Sequence, residues 1–149
     1  MNDKNTALMQ RAVALAQAVA ARGEVPIAAV IANAQGQVIA EAANEVETNA
    51  NPLHHAEMLA LAAAVKAHGS KFLEGHTLAV TLEPCAMCAA ALAHARVATL
   101  VFGAYDPKSG GTVSGARVLA HSHHKPEIIG GVLENECAQL LKTFFAERR

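Results

Sequence analysis

The chain has 149 residues, a mass of 15.5 kDa and a formal net charge of −1 at pH 7. This length predicts one domain over residues 1–149, and the near-zero charge excludes a global basic surface, so that any RNA contact must come from a local patch. Its apolar runs are far shorter than the roughly 20 residues that cross a bilayer, and the first residues, MNDKNT, lack the features of a secretory signal, so we expect a cytoplasmic protein.

Hydrophobic periodicity predicts alternating helices and strands along the chain. From the N-terminus, the pattern predicts a helix at 7–21, a hairpin of strands at 25–32 and 37–40, a polar loop at 41–53, a helix from 54 to about 68, a strand at 77–82, a helix at 85–94, a strand at 97–103, a long glycine-rich loop at 103–126, a short strand within 127–132 and a last helix around 137–144. Five strands alternating with helices indicate an α/β protein, a three-layer αβα sandwich around one sheet.

Two short motifs carry metal-binding chemistry. LHHAEML (53–59) and LEPCAMC (82–88) each lie at the start of a predicted helix. One histidine with Cys85 and Cys88 would give three protein ligands, the number typical of a catalytic zinc site with an open fourth position. A histidine–any residue–glutamate element followed by Pro-Cys-x-x-Cys is the signature of the zinc nucleoside and nucleobase deaminases. Only His55 stands two residues before Glu57, which makes His55 the expected ligand and Glu57 the expected proton carrier.

Two other readings of these residues remain open. Cys85 and Cys88 could be a redox pair, although no other mark of a thioredoxin-like fold is found. Alternatively, the zinc could be structural, in a non-catalytic RNA-binding module. That reading requires a fourth ligand from His54 or from the cluster His121, His123 and His124, which we otherwise expect to lie on a solvated loop. Cys137 falls on the apolar stripe of the last helix and predicts a buried, inert thiol.

The resemblance to a known family extends well beyond the metal motif. GEVPIAAVI (23–31), Asn44, HAEMLAL (55–61), TLEPCAMCAAAL (81–92), GAYDPKSGG (103–111) and GGVLENECAQLLKTFFAERR (130–149) resemble the bacterial tRNA-specific adenosine deaminases. This resemblance implies a cytidine-deaminase-like fold with a mixed sheet, a homodimer and one zinc ion per subunit. It also implies hydrolytic conversion of adenosine to inosine at the wobble position of an arginine tRNA, by a zinc-activated water with Glu57 as the proton shuttle.

The same resemblance implies which residues bind the substrate. Asn44 would hydrogen-bond the flipped adenine, Pro26 and Ile27 would wall the pocket, and Asp106 would contact a neighbouring ribose. Residues near the incoming anticodon loop would be Phe144, Phe145, Arg148 and Arg149. Asn44 could instead be a turn residue, and Phe144 could belong to the core. Ala28, His54 and Ala79 depart from the residues usual in this family. The alternative function is deamination of a free base or nucleoside, namely guanine, cytosine or cytidine, with the same metal site.

Overall fold

A mixed five-stranded sheet forms the centre of the computed structural model, which describes residues 3–148. The elements in chain order are α1 (Asp3–Ala20), β1 (Ala28–Ala32), β2 (Val38–Ala43), α2 (Ala56–His68), β3 (Thr77–Leu82), α3 (Ala86–His94), β4 (Thr99–Ala104), a short 3-10 helix (Val118–His121), β5 (Glu127–Ile129) and α4 (Glu134–Ala146). The four longer helices and the five strands lie where the hydrophobic pattern predicts them, with the ends shifted by a few residues, whereas the short 3-10 helix falls in the stretch predicted as a long loop. The predicted fold class is therefore confirmed.

The sheet has the strand order β2-β1-β3-β4-β5, and β1 runs opposite to the other four strands. Strand β1 is antiparallel to both of its neighbours, whereas β3, β4 and β5 run parallel. Helix α3 connects the parallel strands β3 and β4, the arrangement of a βαβ unit. The order of the strands reverses between β1 and β3, and in open sheets the crevice outside the carboxyl ends of the strands at such a point is a common ligand-binding position.

Two apolar layers enclose the sheet. On one face, α2 and α3 cover a core that includes Leu78, Leu92 and Phe102, all fully buried. On the other face, α1 and α4 cover a second core that includes Met9 and Cys137. Cys137 is thus a buried core thiol, in agreement with its predicted place on the last helix. Within residues 3–148, no helix is long and apolar enough to span a membrane.

The ends of three elements meet at one edge of the sheet. Strand β3 ends at Leu82, and the chain turns through Pro84 directly into α3. Helix α2 starts beside it after a hydrogen-bonded loop at 44–55, and it ends at Gly69, whose left-handed conformation (φ 76°) closes the last turn. A second loop, residues 105–117, follows β4. These two loops border the candidate site.

Candidate active site

His55, Cys85 and Cys88 meet where α2 and α3 begin. His55 is the N-cap residue of α2 and Cys85 that of α3, and neither side chain caps its own helix. The Nδ1 atom of His55 lies 3.6 Å from the Sγ atom of each cysteine. The three candidate ligand atoms all lie within 4.8 Å of one another. Ligands that are distant in the sequence are thus brought together, and their donor atoms contact one another.

This geometry fits a tetrahedral zinc ion. Zinc binds imidazole nitrogen at about 2.0–2.1 Å and thiolate sulfur at about 2.3 Å, and a tetrahedral angle between these bonds separates the two donors by about 3.6 Å. The observed Nδ1–Sγ distances of 3.6 Å match that separation. The mixed thiolate and imidazole set also favours zinc over the hard cations Mg²⁺ and Ca²⁺. The donor set and its spacing therefore fit Zn²⁺ with three protein ligands.

The histidines considered as a fourth ligand are engaged elsewhere or exposed. The Nε2 atom of His54 contacts the amide nitrogen of Asn51 at 3.1 Å, and its Nδ1 atom contacts the side-chain amide of Asn49 at 2.9 Å. His124 Nε2 bonds the carbonyl oxygen of Val97 at 2.6 Å. In the part of the chain that the structure describes, the metal-binding group consists of His55, Cys85 and Cys88 alone. A closed four-ligand site of the structural kind is not formed by these residues.

The electrostatics of the site favour a bound cation. Two helix N-termini converge here, and their partial positive charge stabilises thiolate. In the metal-free protein, a hydrogen bond from the Cys88 thiol lowers the pKa of Cys85 to about 5. The same hydrogen bond, together with burial, raises the pKa of Cys88 above its usual range. The two shifts favour a proton on Cys88 over one on Cys85, and a metal ion that binds both sulfurs as thiolates would displace it.

Glu57 lies in the first turn of α2, two residues beyond His55. Its side chain is buried, with 4% exposure, and burial raises its pKa to about 7. The negative charge of Cys85 raises it further, whereas the N–H of Glu57 itself and the charge of His55 oppose the shift. A carboxyl group poised near neutrality can both accept and donate a proton, as a general acid–base catalyst must.

A pocket of about 320 Å³ opens over these groups, which is within the usual range for small-ligand sites. Of the residues predicted to bind substrate, Ile27, Asn44 and Asp106 line it. Pro26 is buried between two lining residues, Val25 and Ile27. The full lining is Val25, Ile27, Asn44, Val46, Glu47, His55, Ala56, Glu57, Leu82, Glu83, Cys85, Asp106 and Ser109.

Asn44 presents a hydrogen-bond donor to this pocket. It is 7% exposed, and its backbone N–H donates to the carbonyl oxygen of Ile27 at 2.9 Å. Its Oδ1 atom accepts the N–H of Val46 at 3.3 Å, an Asx turn. Since the oxygen is engaged in the turn, the NH₂ group is the polar end left for a ligand. Asn44 is thus a turn residue and a pocket residue at once.

Two buried glutamates that the sequence analysis missed hold the loops around the pocket. Glu24 accepts the backbone N–H groups of Glu47 and Thr48 and the hydroxyl of Thr48. Glu83 accepts hydrogen bonds from the loop after β4. Each is almost fully buried. The available signal was an acidic residue directly before the pocket motifs, in GEVP and LEPC.

The C-terminal residues predicted to meet RNA are not brought to this pocket. Phe144 is 5% exposed and packs in the core, whereas Phe145 is 48% exposed. The Arg148 guanidinium lies 3.6 Å over the Phe144 ring and donates to the carbonyl oxygens of Phe144 and Ala20. Arg149 lies outside the described residues.

Ala28 and Ala79, two departures from the family pattern, lie behind the pocket. Both are fully buried in neighbouring strands of the sheet, Ala28 in β1 and Ala79 in β3, and neither lines the cavity. The third departure, His54, belongs to the loop at 44–55, where its ring joins Asn49 and Asn51. A histidine here therefore stiffens the loop that carries Asn44.

The comparisons with known proteins agree with this geometry. Residues 2–149 match the family model of the MafB19-like deaminases. The chain is 46% identical over 143 residues to the tRNA-specific adenosine deaminase of Bacillus subtilis (strain 168), covering 95% of this chain and 88% of that protein. It is 40% identical over 148 residues to the tRNA-specific adenosine deaminase of Agrobacterium fabrum, covering 98% and 97%. A solved structure from a study of A-to-I editing by tRNA:A34 deaminases at the wobble position of transfer RNA superposes with a TM-score of 0.88 at 40% identity, covering 91% of this chain and 99% of that one.

Proposed function

The chain belongs to the MafB19-like deaminases and to the tRNA-specific adenosine deaminases, and from this premise we propose that it converts adenosine to inosine at the wobble position of an arginine tRNA. The observation that carries the proposal is the open three-ligand group of His55, Cys85 and Cys88 beside the buried Glu57, at the base of a pocket. We assign the activity to a single domain over residues 1–149. A tRNA substrate is consistent with action in the cytoplasm.

The reaction is a hydrolysis in which adenosine and water give inosine and ammonia. Zinc held by His55, Cys85 and Cys88 would lower the pKa of a water in its open position from about 15.7 toward about 7, which supplies a nucleophile at neutral pH. Glu57 would accept the proton of that water and donate it to the ring nitrogen beside the amino-bearing carbon. Attack of the water oxygen on the amino-bearing carbon would leave a hydroxyl group there. Glu57 would carry the proton of that hydroxyl to the amino group, which departs as ammonia while the carbon becomes a carbonyl. The burial of Glu57 keeps bulk water from competing for these protons.

The pocket supports a flipped base as the substrate. Most of its exposed surface is apolar, with walls from Val25, Ile27, Val46 and Leu82, and polar side chains such as Asn44 and Asp106 also line it. Apolar walls with polar groups at the edge suit a purine that has been rotated out of its stack. The NH₂ group of Asn44 would donate to a ring nitrogen and fix the orientation of the base.

Contacts outside the pocket would distinguish the anticodon loop from a free nucleoside. Asp106 lies on the pocket wall, where its carboxylate could accept a hydrogen bond from a 2′-hydroxyl of an adjacent nucleotide. Phe145 offers an exposed ring at the end of α4. The roles of Phe144 and Arg148 would be indirect, since each is held within the protein. Arg149 remains a proposed RNA contact on the basis of the family resemblance.

The outer face of α2 and α3 supports a homodimer. Between Met58 and Val65, helix α2 carries only apolar residues on all of its faces, and such a stretch is normally buried on all sides. Here, a shallow apolar groove along α2 and α3 remains at the surface. It is lined by residues that include Met58, Ala62, Val65 and Ala91. A second copy of the chain would cover this face.

Solution mass tests the dimer. Ala62→Lys places a charge on the exposed outer face of α2, and Ala18→Lys is the matched control on the exposed face of α1. We expect light scattering to give a dimer for the wild type and for Ala18→Lys, and a monomer for Ala62→Lys. A dimer for all three would place the interface elsewhere, and a monomeric wild type would remove the homodimer.

A substrate panel tests the proposed activity. An arginine-tRNA anticodon stem-loop with adenosine at the wobble position would be compared with free adenosine, guanine, cytosine and cytidine, measuring inosine and ammonia. We expect inosine in the stem-loop and no ammonia from the free compounds. Ammonia from a free base or nucleoside with an unchanged stem-loop would reject the tRNA substrate and retain the deaminase chemistry.

A further inference from the structure

Glu83 makes four hydrogen bonds to one loop, and they are divided unequally between its two oxygens. Oε1 accepts the backbone N–H of Asp106 at 3.0 Å. Oε2 accepts the Thr112 hydroxyl at 2.9 Å and the N–H groups of Val113 and Ser114 at 3.0 and 2.8 Å. A carboxylate has about four acceptor positions, so this one is fully used by the loop.

The loop is built to approach this carboxylate closely. Glu83 is 2% exposed. A Cβ atom at Gly110 would lie 2.7 Å from the Glu83 carboxyl carbon and 2.6 Å from the Asp106 carbonyl oxygen, so only glycine fits between them. Gly110 also pairs with Cys85 as an isolated β-bridge, which ties the loop to the start of α3. The loop therefore has little freedom to move relative to the metal-binding group.

Asp106 is fixed by this arrangement at both its backbone and its side chain. Its N–H is held by Glu83, its carbonyl oxygen accepts the N–H of Gly110 at 2.9 Å, and its Oδ1 atom accepts the N–H of Ser109 at 3.0 Å. Its second carboxylate oxygen is therefore the acceptor left for a ligand on the pocket wall. The position of that oxygen depends on where Glu83 holds the backbone.

We propose that Glu83 is the positioning residue for Asp106, and that through Asp106 it sets the preference for ribose over deoxyribose next to the target base. This inference rests on the proposed function, in which Asp106 meets a 2′-hydroxyl. Glu83 itself acts through the backbone and contacts no reacting atom. Its buried carboxylate is needed because the N–H of Asp106 and the N–H groups of residues 113 and 114 must be satisfied at one point in a protein interior.

Glu83→Gln is a selective probe because of the unequal bonding. A glutamine amide nitrogen cannot accept a hydrogen bond. The glutamine side chain can adopt two orientations. With its nitrogen at the position of Oε2, three donors would lose their acceptor, whereas with its nitrogen at the position of Oε1, only the N–H of Asp106 would. The second orientation is favoured, so the substitution should displace Asp106 and leave the rest of the loop in place. Thr112→Val is the matched control, because it removes one bond to Oε2 and none to Asp106.

The first readout is sugar discrimination. The ratio of kcat/KM for an all-ribose stem-loop to that for a stem-loop with 2′-deoxyribose beside the edited adenosine would be measured for the wild type, Glu83→Gln, Thr112→Val and Asp106→Asn. Loss of a charge-assisted hydrogen bond that fixes a ligand group corresponds to about a tenfold change. We expect the ratio to fall about tenfold in Glu83→Gln, to collapse in Asp106→Asn and to be unchanged in Thr112→Val. An unchanged ratio in Glu83→Gln alongside a collapsed ratio in Asp106→Asn would overturn the proposal.

The second readout is hydrogen exchange of assigned backbone amides, which requires no activity. The Asp106 amide should be protected in the wild type and should exchange faster in Glu83→Gln, while the amides of Val113 and Ser114 stay protected. A wild-type protein that does not deaminate the stem-loop would reject the proposed function, and exchange alone would then decide whether Glu83 holds Asp106. An unprotected Asp106 amide in the wild type would overturn the positioning role even if Glu83→Gln failed to fold.

Discussion

Asn44 has two roles, to accept a hydrogen bond in the Asx turn and to donate one to the base. Replacement by aspartate keeps the first role and removes the second. In Asn44→Asp, a carboxylate oxygen can still accept the N–H of Val46, now 3.3 Å from Oδ1, so the Asx turn is retained. The NH₂ group, which we propose donates to the base, is lost. In Asn44→Ala, both the turn bond and the donor are lost. A residue that serves only the turn would therefore tolerate aspartate.

The magnitudes follow from the number of hydrogen bonds removed. Loss of the turn bond in Asn44→Ala should cost about 1 kcal/mol of unfolding free energy, or about 2–4 °C in Tm for a protein of this size. Asn44→Asp keeps the turn bond, so a lower Tm in this variant would measure the cost of its added, largely buried charge. An unmade hydrogen bond to the base costs about 1–3 kcal/mol, so both variants should lose about 5- to 150-fold in kcat/KM.

A base analogue removes the effect of the added charge from this test. Stem-loops with 3-deazaadenosine or 7-deazaadenosine at the edited position each lack one ring acceptor. If Asn44 donates to one of these nitrogens, the wild type should lose activity on that analogue, whereas Asn44→Asp should lose little more. Wild-type activity in Asn44→Asp, or fully additive losses on both analogues, would show that Asn44 does not contact the base at these atoms.

Three further changes test the metal group, a loop carboxylate and the core. Zinc binding to the metal-free protein at pH 7 should release the Cys88 proton, and the apparent affinity for zinc should fall about tenfold per pH unit below neutrality. Calorimetry in buffers of different ionisation enthalpy measures this proton release. No release would show that the two cysteines were already thiolates. Burial tends to raise the pKa of Glu24, but the hydrogen bonds from Thr48 and Glu47 lower it overall. The ionised carboxylate therefore stabilises the fold above pH 4.5, and this stabilisation is lost as the pH falls through the folded pKa. Glu24→Gln should lack this pH dependence, and equal acid sensitivity in both proteins would contradict the assignment. Gly103→Ala would bring a Cβ atom within 2.3 Å of Cys137 Sγ. Denaturant titration should show a loss of about 1–3 kcal/mol in the free energy of unfolding. An unchanged midpoint of the titration would show that the core relaxes around the added atom.

The metal group could be predicted from the sequence because its ligands carry a local signature. Cys85 and Cys88 lie three residues apart at the start of one helix, and His55 stands at a fixed distance from Glu57. The strands were predictable for a similar reason, since β3 is a continuous apolar run that ends where predicted, at Leu82. Such features depend on residues that are close together in the sequence, so they can be recognised without knowledge of the tertiary fold.

The loop carboxylates could not be predicted because their function is non-local. Glu24 and Glu83 bond backbone groups more than 20 residues away in the sequence, and their place before the pocket motifs does not show which groups they bond. The same limit applies to Arg148, which resembles a free cation at a helix end until the structure places it over Phe144 and against Ala20. The pocket walls formed by Val46 and Ser109 likewise depend on how two distant loops meet.

The most direct test of the central claim is to measure zinc content and turnover together for the wild type and Glu57→Gln. Glutamine retains the shape of the buried side chain but cannot carry a proton, whereas the three metal ligands are untouched. We expect about one zinc ion per chain in both proteins, inosine in the stem-loop with the wild type, and turnover lower by at least about 100-fold in Glu57→Gln. Substantial turnover in zinc-loaded Glu57→Gln, or full turnover by wild-type protein stripped of zinc, would contradict the account.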